Sequence, residues 1–366
     1  MPNQIACQSE PSRTTGGEGT PLWKIHVAQA IRDPAELCSL LDLPPELADE
    51  ARTAMGNFPL LLPRPMLSRI KPGNPADPVL RQFLPTMPET AAEPGFSTDP
   101  LQEQSACPLP GVLAKYEGRI LILATRACPV HCRYCFRRYF PDTPPTSSPR
   151  QTGSRKLPNN PQDVEGSPPT SDGYITSICR YVQSRPDCHE VVLSGGEPLL
   201  IDDQQLGTWF SLFSQIAHIQ RVRIHTRLPV VIPQRVTPQL IALFRGAPFR
   251  SVVVFHINHP QEIDDAVAEA ITRLGHSGAI LLCQSVLLKG VNDDPDVLAT
   301  LYERIAGLRV LPYYLHQLDR VLGAHHFEVP VDRGKKIIEE LRKRLPGYLV
   351  PRYVREEPGK DAKVPL

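Results

Sequence analysis

Arg119-Ile120-Leu121-Ile122-Leu123-Ala124-Thr125 runs straight into Arg126-Ala127-Cys128-Pro129-Val130-His131-Cys132-Arg133-Tyr134-Cys135. The first seven residues are a short β-branched and aliphatic run of strand type, and they deliver a C-x-x-x-C-x-x-C loop to the strand's C-terminal end. Similar runs recur at Glu190 to Ser194, Arg221 to Thr226, Ser251 to Ile257, Ala279 to Leu287 and Val310 to His316, separated by stretches of helical periodicity. Strands that alternate with helices imply parallel pairing through crossover connections. The roughly six repeats predict an α/β fold, an incomplete parallel (β/α)6 TIM-like barrel with its chemistry at the C-terminal ends of the strands.

Outward from this core, Trp23 to Arg69 places Ile31, Leu37, Leu40 and Leu41 at helical spacings, with a helix start at Asp33-Pro34. A helical N-terminal region and an extended Pro- and Gly-rich linker are therefore expected over 23–112, after a polar, disordered tail at 1–22. The barrel is expected over 113–330 and a C-terminal helix with a trailing segment over 331–366. Within the barrel, 141–172 carries eight prolines and almost no large apolar residue. Such a stretch cannot supply a core and reads as a mobile insertion.

The chain has 366 residues, with 40 basic side chains against 39 acidic ones. That balance points away from nucleic acid and anionic membranes and toward small-molecule partners. There is no apolar run of membrane-spanning length and no basic-then-apolar leader, so a soluble cytoplasmic protein is expected. Nine cysteines, odd in number and with three of them between 128 and 135, suggest metal ligands in a reducing compartment and not a disulfide framework.

Three thiolates at this spacing suit three corners of a cubane iron–sulfur cluster and leave one iron open to another molecule. The alternative is a Cys3His zinc site completed by His131. That histidine lies between two of the cysteines on a tight loop, where its ring is badly placed to close a tetrahedron. The second strand ends in Ser194-Gly195-Gly196-Glu197-Pro198. Its glycines allow a close backbone approach to a ligand, and the adjacent carboxylate can accept hydrogen bonds from an ammonium group. The cysteine spacing, the aromatic Tyr134 before the third cysteine and this second motif together resemble the radical S-adenosylmethionine superfamily. The resemblance implies a 4Fe–4S cluster on Cys128, Cys132 and Cys135, and S-adenosylmethionine contacts from Ser194, Gly195, Gly196 and Glu197.

Longer segments carry a narrower likeness. Arg69 to Pro100, His131 to Pro141, Ile224 to Pro233, His256 to Pro260, Gln284 to Asp293, Leu311 to Asp319 and Gly347 to Pro351 resemble the lysine 2,3-aminomutase family. Within it, the likeness is to the short bacterial branch that serves β-lysylation of elongation factor P. The resemblance implies pyridoxal 5'-phosphate on a lysine. Lys363, followed by Val364-Pro365, matches that lysine, and Lys360 is the other candidate. Tyr116 and Arg119 match positions that contact the pyridoxal ring and phosphate, where a guanidinium can donate paired hydrogen bonds. Arg137 matches the arginine that holds the substrate carboxylate, and Asp293 and Glu356 match the two acids that hold lysine's distal ammonium. His256, His259 and Gln284 sit near strand ends, where cofactor contact and core hydrogen bonding account for them equally well.

The implied reaction is a radical conversion of L-α-lysine to β-lysine, an isomerase (intramolecular aminotransferase) activity. The implied partners are a flavodoxin- or ferredoxin-type reductant, elongation factor P and its lysyl ligase. The rival readings are an aminomutase of the same fold acting on another amino acid such as glutamate, and a non-catalytic iron–sulfur or zinc protein binding elongation factor P or its ligase. Longer family members add a cysteine-bearing zinc segment after the lysine. Cys283 is the only cysteine after Cys188 here, which leaves the oligomeric state open.

Overall fold

In the computed structural model, residues 15–16, 19–139 and 172–366 are described. Most of the expected tail and nearly all of the expected insertion lie outside the described residues. A short ribbon of β1 (Thr15–Gly16) and β2 (Thr20–Pro21) leads into α1 (Leu22–Ala28), α2 (Pro34–Leu40) and α3 (Glu46–Met55). Elements of secondary structure thus fall inside the stretch read as a tail. Asp33 caps α2 by accepting from the Ala35 N–H at 3.1 Å, and Pro34 sits at the first helical position, where its missing N–H costs nothing. Beyond α3 the chain runs extended between single 3-10 turns as far as Ala106.

The barrel opens with an antiparallel pair, β3 (Val112–Tyr116) and β4 (Arg119–Thr125). It continues through α4 (Asp172–Gln183), β5 (Glu190–Gly195), α5 (Asp203–Ser214) and β6 (Arg221–Thr226). Next come α6 (Leu228–Val231), α7 (Pro238–Arg245), β7 (Arg250–His256), α8 (Asp265–Gly275) and β8 (Ile280–Val286). The chain closes with α9 (Pro295–Gly307), β9 (Leu311–His316), α10 (Val331–Arg344), β10 (Arg352–Arg355) and β11 (Val364–Pro365). Strands β4 to β10 pair in chain order and all in parallel, while β11 returns antiparallel on β10. Among the described residues β3 and β11 do not pair with each other, so the sheet is an open, incomplete barrel, as the alternation predicted.

The period-2 geometry of the strands divides their side chains into two sets. Ile120, Ile122, Val191, Leu193, Val222, Ile224, Val253, Phe255, Leu281 and Cys283 face the helices and are buried. The intervening positions point into the barrel, where Leu121, Leu123, Val192, Ser194, Arg223, His225, His256, Gln284, Tyr314 and His316 line one cavity of about 340 Å³. The helices answer with apolar stripes at three- and four-residue spacing, such as Val267, Ala270, Ile271 and Leu274 on α8. Each barrel helix from α7 to α9 starts at a side-chain cap, namely Thr237, Asp264 and Asp294. A polar lining inside an apolar shell is what the alternation of residue types along β6 and β9 builds.

Candidate active site

The cysteine loop leaves β4 at Thr125 and is held from two sides. Toward the N-terminal region, His131 N–H donates to Leu61 O at 3.0 Å and Arg133 N–H to Gln82 O at 2.8 Å. Arg133, fully buried, places Nε and Nη2 on the Glu89 carboxylate at 2.9 and 2.6 Å, and Arg138 reaches the same carboxylate at 3.0 Å. The His131 ring stacks on Phe58 at 4.5 Å, and its Nδ1 lies 2.8 Å from Pro59 O. This histidine is anchored to the N-terminal region, which argues against the zinc alternative. Among the described residues no three His, Cys, Asp or Glu side chains converge closely enough for a single metal ion.

On its other side the loop rests on the end of β5. Gly196 N–H donates to Thr125 O at 2.7 Å and Glu197 N–H to Ala127 O at 2.8 Å. A Cβ at Gly195 would overlap Thr125 O, and one at Gly196 would overlap the carbonyls of Ala127 and Arg126; Gly195 also has φ +117°. What the two glycines admit is therefore the protein's own cysteine loop. Glu197 is engaged within the fold as well. Its carboxylate accepts from Thr226 Oγ1 (2.6 Å), Arg227 N (2.7 Å), Leu199 N (3.0 Å) and Leu228 N (3.1 Å), which uses its lone pairs within the fold. It lines the cavity and staples β5 to β6.

Cys128, Cys132, Cys135, Tyr116, Arg119, Arg137, Ser194, Gly195, Gly196, Glu197, Glu356 and Lys363 all line the same cavity. Burial, reinforced by the neighbouring sulfurs, raises the Cys128 thiol well above its ordinary range and pushes Cys135 up to about 11. Arg137 spreads its guanidinium between the halves of the site. Nε and Nη2 bind Glu103 at 2.7 and 2.8 Å, while Nη1 lies 3.3 Å from both Ser194 Oγ and Gly195 O. Arg119 stacks over the Tyr116 ring at 4.4 Å.

Lys363 projects into the cavity and ion-pairs with Glu356, which also takes Lys115 at 3.3 Å. Despite burial, these two ammonium groups and the Tyr116 phenol hold the Glu356 carboxyl down at about 2. Lys360, in contrast, is exposed. Three histidines of the lining are held neutral. Burial lowers His256 to about 3 and takes His225 and His316 well below the usual range, with Lys363 adding to the depression of both. His256 also stacks on Tyr134, whose hydroxyl is 2.9 Å from Nε2, while His259 caps a local turn through Gln261 N.

Asp293 does not join this site. Its carboxylate accepts from Gly290 N–H at 2.8 Å in the turn after β8, outside the cavity. The aspartate that does line the cavity is Asp319, just past the end of β9. Burial, and then repulsion from Glu356, pushes its carboxyl up to about 7, and no side-chain partner for it is found among the described residues. Sequence reading also passed over Glu103, Lys115 and Arg227. Asp319 had one available signal, its place at a strand's C-terminal end.

No family model matches the chain. Curated relatives do. The L-lysine 2,3-aminomutase of Escherichia coli K12 is 40% identical over 345 residues, covering 94% of both chains. The Haemophilus influenzae Rd protein of the same name is 39% identical, covering 93% of this chain and 94% of its own. The Clostridium subterminale protein, also so named, is 34% identical over 94% of this chain and 77% of its own.

The chain belongs to the L-lysine 2,3-aminomutase family.

It is accordingly an isomerase of the aminomutase type, and the cofactors that go with the family are a 4Fe–4S cluster, S-adenosylmethionine and pyridoxal 5'-phosphate. Among solved structures, Streptococcus suis SuiB bound to S-adenosylmethionine aligns with a TM-score of 0.45 at 11% identity, over 66% of this chain and 51% of that one. So distant a likeness assigns no residue. No helix among the described residues is long and apolar enough to cross a membrane.

Proposed function

We propose that the chain converts L-α-lysine to β-lysine by 1,2-amino migration, with pyridoxal 5'-phosphate on Lys363 and a 4Fe–4S cluster on Cys128, Cys132 and Cys135. The observation that carries this reading is that an amine and three soft thiols, from opposite ends of the barrel sequence, line one cavity. The residues suit the groups. A lysine amine beside a guanidinium and a phenol fits a phosphorylated aldehyde, and three thiols on one loop fit a cluster with an open corner. When bound, the cofactors supply a carbon-centred radical and a π system across which nitrogen can move.

The chain's own residues bind and orient. Arg137 has five N–H donors, of which four are engaged within the fold, two of them on the Glu103 carboxylate, so one Nη2–H remains for the substrate carboxylate. Asp319 and Glu356 lie on the wall that would receive the distal ammonium, replacing the pair Asp293 and Glu356. A cation site at a fixed reach from Arg137 selects a long cationic amino acid over a short or acidic one. Ser194 and Gly195 fix Arg137, and Tyr116 and Arg119 stand where a ring and phosphate need support. Radical chemistry at the base of this cavity needs protection from water, which bound cofactors and substrate would help to supply.

We further propose that the product serves modification of elongation factor P through its lysyl ligase, in the cytoplasm, with electrons from a flavodoxin or ferredoxin. The higher identity to the Escherichia coli and Haemophilus relatives, 40% and 39% against 34% for the clostridial one, supports this branch. Mass spectrometry of the pyridoxal phosphate-loaded, borohydride-reduced protein should find the pyridoxyl group on Lys363, and anaerobic turnover should give β-lysine from lysine. A pyridoxyl group on Lys360, or turnover of glutamate but not of lysine, would overturn the corresponding assignment.

A further inference from the structure

We infer that Arg227 is a positioning residue for the iron–sulfur centre, raising its reduction potential by holding a buried cation and a hydrogen bond on the Cys132 sulfur. The inference rests on the proposed assignment of the three cysteines as cluster ligands. Arg227 follows β6 directly, and its backbone N–H is one of the four donors on Glu197. The side chain is only 6% exposed. Nη1 lies 2.8 Å from Cys132 Sγ and 2.6 Å from the Tyr134 hydroxyl, while Nη2 lies 2.6 Å from Gln82 Oε1 and 2.7 Å from Glu262 Oε2. The guanidinium plane rests on Phe83 at 4.7 Å. A group gripped at both nitrogens and on one face cannot swing away when the charge on the sulfur changes.

Why this should matter follows from electrostatics. One-electron reduction takes the cluster from the 2+ to the 1+ state, the electron coming from the reductant and its added negative charge spreading onto the ligand sulfurs. A fixed donor and a cation at one of those sulfurs stabilise the reduced form more than the oxidised form, and a low local dielectric enlarges the difference. Glu262 makes the buried cation tolerable. It sits on the far nitrogen from the sulfur and is itself held by Asn258 N–H at 2.9 Å and His259 N–H at 3.0 Å. The pair is thus a dipole with its positive end on the cluster ligand.

The test is a dithionite-poised redox titration, followed by electron paramagnetic resonance, of anaerobically reconstituted full-length protein. Arg227→Gln alone would leave Glu262 buried without its cation, so the double variant Arg227→Gln/Glu262→Gln is compared with Glu262→Gln, which differs from it only at Arg227. The expected result is at least a tenfold loss in the reduction equilibrium of the double variant, 59 mV for a one-electron couple, at unchanged iron content and unchanged absorbance of the oxidised cluster. Equal potentials in the two proteins at equal iron loading would overturn the inference. Failure of the unmodified protein to assemble a cluster would instead overturn the assignment of the cysteines.

Discussion

At the residue scale, Asp319 is the group whose behaviour is most unusual. A carboxyl held near 7 by burial and by Glu356 is half protonated at neutral pH, and the protonated form cannot pair with an ammonium. Lysine binding therefore requires proton release below that pH. We expect the affinity of the pyridoxal phosphate-loaded enzyme for lysine, read from the cofactor's absorbance without reductant, to fall toward tenfold per unit as pH drops below about 7. Asp319→Asn should abolish that segment of the profile and weaken binding at pH 8 by about 2 kcal/mol, roughly thirtyfold. Asp293→Asn should leave both unchanged, and a profile unaltered by Asp319→Asn would remove this acid from the site. Choosing between the two acids was beyond the sequence, because each is an aspartate in the turn that follows a strand. What separates them is which way the chain turns, and around Asp319 that turn is held by Gln317 N–H on Val354 O of β10 and by Ser97 N–H on Arg320 O.

The element scale shows a different mixture of legible and hidden. The strands from β4 to β9 could be placed to within a residue or two, since each is a short aliphatic run and its register follows from parallel pairing with both neighbours. The Gly195-Gly196-Glu197 turn was visible as a motif, but its physical task was not. Close approach to a ligand and close approach to another backbone leave the same two glycines in a sequence. The structure shows the second, and this has consequences. Gly196→Ala forces its Cβ onto two carbonyl oxygens of the cysteine loop, so we expect the iron bound after reconstitution to fall several-fold while far-ultraviolet circular dichroism changes little. Retention of full iron loading would mean that the loop is held by other contacts. Arg227, too, was unreadable at this level, because its partners Gln82, Cys132 and Glu262 come from three separate stretches of chain.

For the whole molecule, the question is why a helical and extended N-terminal region accompanies a barrel at all. The contacts answer it: residues 58 to 103 provide carbonyls, Glu89 and Glu103 to the cysteine loop and to Arg137, so the region forms the outer wall of the site. Its helical start at Asp33-Pro34 was legible from local rules. Its role was not, because buried ion pairs between residues dozens of positions apart leave no periodic trace. Glu89 is the sharpest test of this view. One carboxylate is shared by two buried guanidinium groups, Arg133 with a fully buried side chain and Arg138 with one 4% exposed. Removing one partner from such a cluster strands charge in a low dielectric and costs about 3–5 kcal/mol. Glu89→Ala should therefore lower the urea midpoint, loosen the cysteine loop and reduce iron loading together, in a single transition. Two separate transitions in the unmodified protein, with the barrel outlasting the N-terminal region, would show instead that the wall is an appendage and that the cysteine loop stands without it.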